Sequence, residues 1–184
     1  MPRSIAAARV AIEVTAMHGI PLLPRGAGIS QCGQTVGAAL VIDGSRHCNR
    51  LLSVQVDNRR AVLEPAMVLD HLNAQRKSLA LWFPADVSTS AQATIGGMTG
   101  NNSCGSRSIF YGNMVHNVAA IDALLADGTT ARFDDAPDIA DNVRFTQIVD
   151  GVRAICERAD DEIAARFLPL LRRVAGDNLD IFNP

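Results

Sequence analysis

The chain has 184 residues, 48% of them hydrophobic, and 19 acidic against 17 basic side chains give a formal charge of −2. That is enough apolar material for a real core in one or two small lobes, and the charge gives no electrostatic case for nucleic acid or an anionic membrane. No apolar run reaches the roughly 18 residues of a membrane span. The opening MPRSIAAARVAIEV carries Arg9 and Glu13 instead of the long apolar run of a signal peptide, so a cytoplasmic protein is expected. Its cysteines, Cys32, Cys48, Cys104 and Cys156, are scattered without a C-x-x-C pair. This argues against zinc or an iron–sulfur cluster and for free thiols.

Ser4 is placed to cap a helix running to about His18, with Ile5, Ala8, Ile12 and Ala16 on one face and Gly19 as its stop. Ile20 to Pro24 then reads as a short buried strand. The loop Arg25-Gly26-Ala27-Gly28-Ile29-Ser30-Gln31-Cys32-Gly33-Gln34-Thr35 follows. It is not a dinucleotide fingerprint, because its third glycine comes late and Ala38 to Ile42 looks like a strand where a helix is required. Nor is it a P-loop, since Gln34 stands where lysine is needed. What remains is a glycine-rich turn whose successive N–H groups can form a concave anion site, or a plain connection between strands. Arg25 either adds charge to that site or forms an ion pair at its mouth.

Val41-Ile42, Leu51–Val56 and Ala61–Glu64 read as strands, with turns at Asp43-Gly44 and Asp57-Asn58. Pro65 opens a helix to about Lys77 that buries Val68, Leu69 and Leu72. Leu79 to Phe83 is a short apolar strand. Val115–Ala126 and Thr129–Phe133 form a hairpin about Asp127-Gly128. Asp134 to Asp141 reads as a surface loop. Phe145, Ile148, Val149, Val152, Ile155 and Cys156 keep helical spacing, and a second helix starts near Asp160 with Ile163, Phe167 and Leu171, interrupted at Pro169. Residues 176–184 show no regular signal.

The stretch from Phe83 to Gly112, FPADVSTSAQATIGGMTGNNSCGSRSIFYG, stands apart. It carries many glycines and hydroxyl residues and no charge between Asp86 and Arg107. Neither a helix nor a strand tolerates that composition without reason, and a solvent loop of that length normally carries more charge. Backbone laid against something large and polar accounts for it. Two such stretches imply one extended ligand held at two places.

Five motifs define a resemblance: P-R-G-A-G-x-S-x-x-G-Q at Pro24–Gln34, D-G-S-R-H-x-N-R at Asp43–Arg50, F-P-x-D-x-S-T at Phe83–Thr89, A-T-I-G-G at Ala93–Gly97 and N-N-S-C-G-x-R-S-x-x-Y-G at Asn101–Gly112. The sequence resembles the FAD-binding domain of FAD-linked oxidases of the vanillyl-alcohol oxidase and p-cresol methylhydroxylase type, in the branch of D-lactate, glycolate and other D-2-hydroxyacid dehydrogenases. The resemblance implies an α+β, PCMH-type fold: a small β-α-β lobe plus a larger mixed or antiparallel sheet lobe flanked by helices. It places the FAD-binding domain at residues 1–133, with 134–184 as a helical segment at the incomplete end of that domain.

By the same resemblance, Gly26, Ala27, Gly28, Ile29 and Ser30 would hold the FAD pyrophosphate through backbone amides, with Pro24, Arg25, Gly33 and Gln34 also among the cofactor-binding residues. Pro84, Asp86, Ser88, Thr89, Thr94, Gly96, Gly97, Met98, Asn101, Asn102, Ser103 and Gly105 would line the flavin side. Relatives that attach flavin covalently use a histidine where Ile29 stands, so non-covalent FAD is implied. Val87 and Ala66 depart from the usual proline and glycine. Cys104 is expected as a packed thiol. His18, His47, His71 and His116 are expected to be structural, with no metal site.

The implied reaction is hydride transfer from a D-2-hydroxy acid to flavin N5. No catalytic residue is expected here, because the family places base, metal and substrate arginine in a C-terminal substrate domain. A first strand before Ser4 and that domain are expected to lie outside this sequence. A remnant that does not retain FAD, or a different reaction on the same fold such as that of UDP-N-acetylenolpyruvoylglucosamine reductases, are the alternatives.

Overall fold

The Ser4 hydroxyl accepts the Ala7 N–H at 3.2 Å and starts helix α1 (Ile5–Met17). Gly19, at φ +61°, turns the chain out of it. The structure, a computed structural model, describes residues 1–134, 142–168, 170 and 178–182. Helix α1 buries Ala8, Ile12 and Thr15, whereas Ile5 and Ala16 of the expected face are exposed. The helix is turned by what it packs on: Arg9 donates to the Thr130 hydroxyl (3.0 Å) and the Gly128 carbonyl (3.5 Å).

Strand β1 (Leu22–Arg25) pairs in parallel with β2 (Leu40–Asp43), from Leu22 opposite Leu40 to Arg25 opposite Asp43. Parallel neighbours need a crossover of about a dozen residues, usually a helix. Here the crossover is the glycine-rich loop itself. Strands β3 (Leu51–Gln55) and β4 (Arg60–Leu63) form an antiparallel pair with an irregularity between Leu51 and Ser53.

Three expectations are corrected in the next part of the chain. The helix expected from Pro65 begins at Leu69 (α2, Leu69–Arg76). Residues 65–68 are spent otherwise: Val68 bridges Thr94 antiparallel, the Ile95 N–H donates to the Met67 carbonyl at 2.8 Å and the Leu69 N–H to the Ala93 carbonyl at 3.0 Å. The strand expected at Leu79–Phe83 is absent among the described residues. A 3-10 turn (Lys77–Leu79) ends in left-handed Ala80, and the Phe83 N–H donates to Asn73 Oδ1 at 2.7 Å, so a side chain takes what a neighbouring strand would take. The strand expected from Val115 starts only at Ala120. Before it lie three short helices, α3 (Ile95–Gly100), α4 (Ser108–Tyr111) and α5 (Met114–Asn117). The last is held by the Asn113 N–H donating to His116 Nδ1 at 3.0 Å.

The hairpin β5 (Ala120–Leu124) and β6 (Thr130–Asp134) turns at Asp127-Gly128 as expected. Helix α6 (Val143–Arg158) is capped by Asn142, whose Oδ1 accepts the Phe145 N–H at 3.0 Å. It buries Phe145 and Cys156, and Phe145 stacks edge-on against Phe133 at 4.8 Å. Helix α7 (Asp160–Arg166) carries three acids in its first turn, where the helix dipole favours them. The expected loop beyond Asp134, Pro169 and Leu171 lie outside the described residues. The tail, expected to be irregular, contains a 3-10 turn at Leu179–Phe182. No helix among the described residues is long and apolar enough to cross a membrane.

One core cluster unites Met67, Leu69 and Leu72 with Ala85, Ala93, Ile95, Met98 and Met114. Four of these lie inside the Phe83–Gly112 stretch, so the segment singled out for a ligand also carries the core. Beside the cluster sits Glu64, only 4% exposed. Its carboxylate accepts from Arg50 three times: the backbone N–H (2.9 Å), Nε (3.2 Å) and Nη2 (2.8 Å). These bonds, against the effect of burial, hold the Glu64 carboxyl below its ordinary value of 4.5. A depressed folded-state pKa contributes stability that is present above 4.5 and is lost as pH falls below it. Replacing Glu64 with Gln is expected to cost about 1–3 kcal/mol at pH 7. It is also expected to flatten the decline of the thermal midpoint below pH 4.5, read by circular dichroism melts across pH.

Candidate cofactor site

The two small-residue stretches meet at Gly26 and Thr94. A Cβ built on Gly26 would overlap the Thr94 hydroxyl, and one on Gly97 would stand 3.1 Å from the same oxygen. Thr94 is 3% exposed, yet its hydroxyl makes no hydrogen bond among the described residues. The bridge to Val68 fixes its backbone. A bare hydroxyl thus stands at the junction of both loops.

The first loop leaves β1 at Arg25. Gly28 and Gly33 adopt φ +70° and +86°, conformations open to glycine at no steric cost. The N–H groups of Gly26, Ala27, Gly28, Ile29 and Ser30 have no hydrogen-bond partner among the described residues. Gly26 and Ser30 are half-buried and the three residues between them are exposed, so this run of donors is open to a ligand, as an anion-binding turn requires. Arg25 forms the ion pair at the loop's mouth: its Nη2 lies 3.3 Å from Asp43 Oδ2. Ile29, Gly33 and Gln34 are exposed.

The second stretch sorts into committed and uncommitted groups. Asp86 is committed: its carboxylate accepts from the Ser106 hydroxyl (2.9 Å) and the Arg107 N–H (3.0 Å), with Arg107 Nε at 3.6 Å. Burial pushes its pKa up, but these donors and the Arg107 charge hold it below the ordinary carboxylate value. Gly105 lies against Asp86 so closely that a Cβ there would overlap the Asp86 carbonyl. Asn102, at φ +45°, uses its side chain to accept the Val115 N–H at 3.1 Å. Met98 is buried in the core, and Gly96 is pressed on Pro65, where a Cβ would stand 2.6 Å from the proline Cβ.

By contrast, the side chains of Ser30, Gln34, Ser88, Thr89, Asn101 and Ser103, like that of Thr94, have no hydrogen-bond partner among the described residues. This donor set suits a ligand rich in phosphate, hydroxyl and ring-carbonyl groups. The residues present therefore fit FAD. Pro84 leads into the stretch and is half-buried. His116 is taken up by its cap on Asn113, and a Cβ at Gly112 would stand 2.8 Å from its ring. Among the described residues no cluster of three or more His, Cys, Asp or Glu can hold a metal, and all four cysteines are free.

The sequence reading missed Pro65 and Asp43 as partners of this site. Pro65 gave no signal, because its role is shape alone. Asp43 had one: Asp-Gly-Ser is an Asx-turn pattern, and Asp43 Oδ1 accepts both the Ser45 N–H (2.9 Å) and hydroxyl (2.6 Å).

The profile of the family described as "FAD binding domain" matches residues 1–134. This chain belongs to that FAD-binding domain family. FAD, the cofactor implied by the resemblance, is the one the family binds. Among curated proteins, the domain is similar to D-2-hydroxyglutarate dehydrogenase of Pantoea ananatis, with 32% identity over 188 residues, covering 97% of this chain and 18% of that protein. It is similar to the Escherichia coli enzyme of the same name at 28% over 192 residues, 99% and 19%. Glycolate oxidase subunit GlcD of Bacillus subtilis is 32% identical over 143 residues, 72% and 30%. The chain thus spans about a fifth of the length of the D-2-hydroxyglutarate dehydrogenases.

Among solved structures, alkyldihydroxyacetonephosphate synthase superposes with a TM-score of 0.66 at 18% identity, over 74% of this chain and 26% of that one. For 6-hydroxy-D-nicotine oxidase of Arthrobacter nicotinovorans the values are 0.63, 15%, 72% and 29%. These show the fold, which is the α+β PCMH-type fold expected.

The glycines of this domain divide by what surrounds them. Gly96→Ala is expected to destabilise by about 1–3 kcal/mol, since Pro65 must move. Gly100→Ala, at a helical position with nothing within 4 Å, is expected to be neutral or stabilising by up to about 1 kcal/mol. Denaturant unfolding of the two variants checks the contrast.

Proposed function

We propose that this chain supplies the FAD site of a flavoprotein dehydrogenase that oxidises a D-2-hydroxy acid of the D-lactate, glycolate or D-2-hydroxyglutarate type. The observation that carries it is the meeting of the two small-residue loops at Gly26 and Thr94, whose hydroxyl has no hydrogen-bond partner among the described residues, in a member of the FAD-binding domain family. The similarity to D-2-hydroxyglutarate dehydrogenases and to GlcD supports the substrate class.

In this reading residues 1–133 form the FAD unit and 134–184 a helical segment on its C-terminal side. Amides of Gly26 to Ser30 receive the diphosphate, with Pro24, Arg25, Gly33 and Gln34 shaping the turn. Ser88, Thr89, Thr94, Asn101 and Ser103 donate to the flavin half. Pro84 and Gly97 allow its backbone close approach, Gly96, Met98 and Gly105 seat that backbone on Pro65, the core and Asp86, and Asp86 and Asn102 hold the bends. Bound FAD supplies the hydride acceptor. The chain's residues orient it and exclude water from one face; none is assigned as base or metal ligand, and substrate is met by a separate C-terminal domain. FAD is held without a covalent bond, Ile29 lacking any group to form one. The setting is cytoplasmic, in keeping with four free thiols.

The first test is the visible spectrum of the purified chain after incubation with FAD and removal of excess. Retained flavin bands that are released by acid are expected; a colourless protein whose melting midpoint ignores FAD identifies a remnant instead. Thr94→Val keeps the shape and removes a hydroxyl with no partner among the described residues. It should leave the melting midpoint of the free chain within a few degrees while weakening FAD binding roughly three- to tenfold. Alkylation of the exposed Cys32, within the first loop, should slow when FAD is added, as followed by peptide mass mapping.

A further inference from the structure

Where the first loop leaves its strand stands a charged pair, Arg25 and Asp43, whose acidic member has no role in the reading above. Arg25 and Asp43 face each other across the β1–β2 ladder, and the Arg25 carbonyl accepts the Gly44 N–H at 3.3 Å. The Arg25 guanidinium donates to Asp43 Oδ2 at 3.3 Å. Asp43 is itself held from the other side, its Oδ1 accepting the Ser45 N–H and hydroxyl. The stem of Arg25 lies beneath the left-handed turn: a Cβ on Gly28 would stand 3.3 Å from Arg25 Cδ and 3.8 Å from Cγ and Nε. Both side chains are mostly shielded, at 35% and 13% exposed. Asp43, Arg25 and Gly28 therefore form a chain of contacts, and Gly28 lies within the run of residues 26–30 whose amides have no partner among the described residues.

We infer that Asp43 is a positioning residue for FAD: it pins Arg25, whose stem props the Gly28 turn and sets the amide array that receives the diphosphate. The Arg25 charge is spent on Asp43, so the diphosphate is held by neutral N–H groups. A planar guanidinium fits this task, because one group forms the ion pair while its carbon stem packs against backbone. Although burial opposes it, the Ser45 donors and Arg25 hold the Asp43 carboxyl below its ordinary value, so the pair is intact at neutral pH. This inference rests on the FAD reading above for its ligand, but not for its geometry.

Two readouts test it. In flavin-fluorescence titrations, Asp43→Asn and Arg25→Gln are each expected to weaken FAD binding about tenfold. The double variant should be no worse than either single one, because Asp43 acts through Arg25. Ser45→Ala, which removes one donor from Asp43, should fall between, and covers the case in which Asp43→Asn does not fold. The second readout needs no FAD. Trypsin cuts after a free arginine, so Asp43→Asn should speed cleavage after Arg25 about tenfold relative to the exposed Arg59 of the β3–β4 turn.

Unchanged FAD affinity in Asp43→Asn, additive losses in the double variant, or an unchanged Arg25 to Arg59 cleavage ratio each overturns the assignment. A wild-type chain that takes up no FAD sinks the functional reading instead, and the cleavage ratio then decides on its own whether Asp43 sets the loop.

Discussion

A single antiparallel bridge, Val68 to Thr94, organises this domain. On either side of it the Met67 carbonyl takes the Ile95 N–H and the Ala93 carbonyl takes the Leu69 N–H. Those contacts bring Met67 and Leu69 against Ala93 and Ile95, the centre of the core. They also leave Thr94 pointing to the first loop and press Gly96 onto Pro65. Core packing and site geometry are therefore two faces of one short pairing. A change that loosens the core moves the junction of the loops with it.

The small residues of the second stretch serve two masters. Gly96 and Gly105 are small because Pro65 and Asp86 stand against them, and Met98 belongs to the core. Ser88, Thr89, Asn101 and Ser103 keep side-chain polar groups that have no partner among the described residues. A composition rich in glycine and hydroxyls does not separate these uses. Partner assignment in three dimensions does, and it leaves fewer side chains without a partner among the described residues than the motif alone suggests.

Much of the fold was legible because local chemistry decided it. Ser4 and Gly19 bound α1, Asp127-Gly128 turns the last hairpin, and the apolar spacing from Phe145 to Cys156 marks α6. The misses share a cause: tertiary partners overrode local preference. Pro65 is a good first residue for a helix, but residues 65–68 are recruited by the bridge. Leu79–Phe83 has a strand's composition, but the Asn73 side chain takes its donor. Val115 leads toward the apolar run from Val118, yet Asn113 and His116 cap a helical turn there. For the site, the two loops were visible as composition. Their meeting at Gly26 and Thr94, and the commitment of Asp86 and Asn102 to the protein, depend on contacts far apart in sequence.

The aromatic residues have a practical consequence for anyone who studies this chain in solution. It contains one tryptophan and one tyrosine, and their rings meet edge to face with centroids 5.2 Å apart, with the Arg107 guanidinium 5.6 Å from the Trp82 ring centre. Phe110, 88% exposed, leans on the same tyrosine. Intrinsic emission therefore originates from one spot, beside the bend that Arg107 and Asp86 hold together. An emission change reports that corner and is silent about the β1–β2 lobe, which carries neither chromophore. A probe of the N-terminal lobe has to be introduced or read by another method.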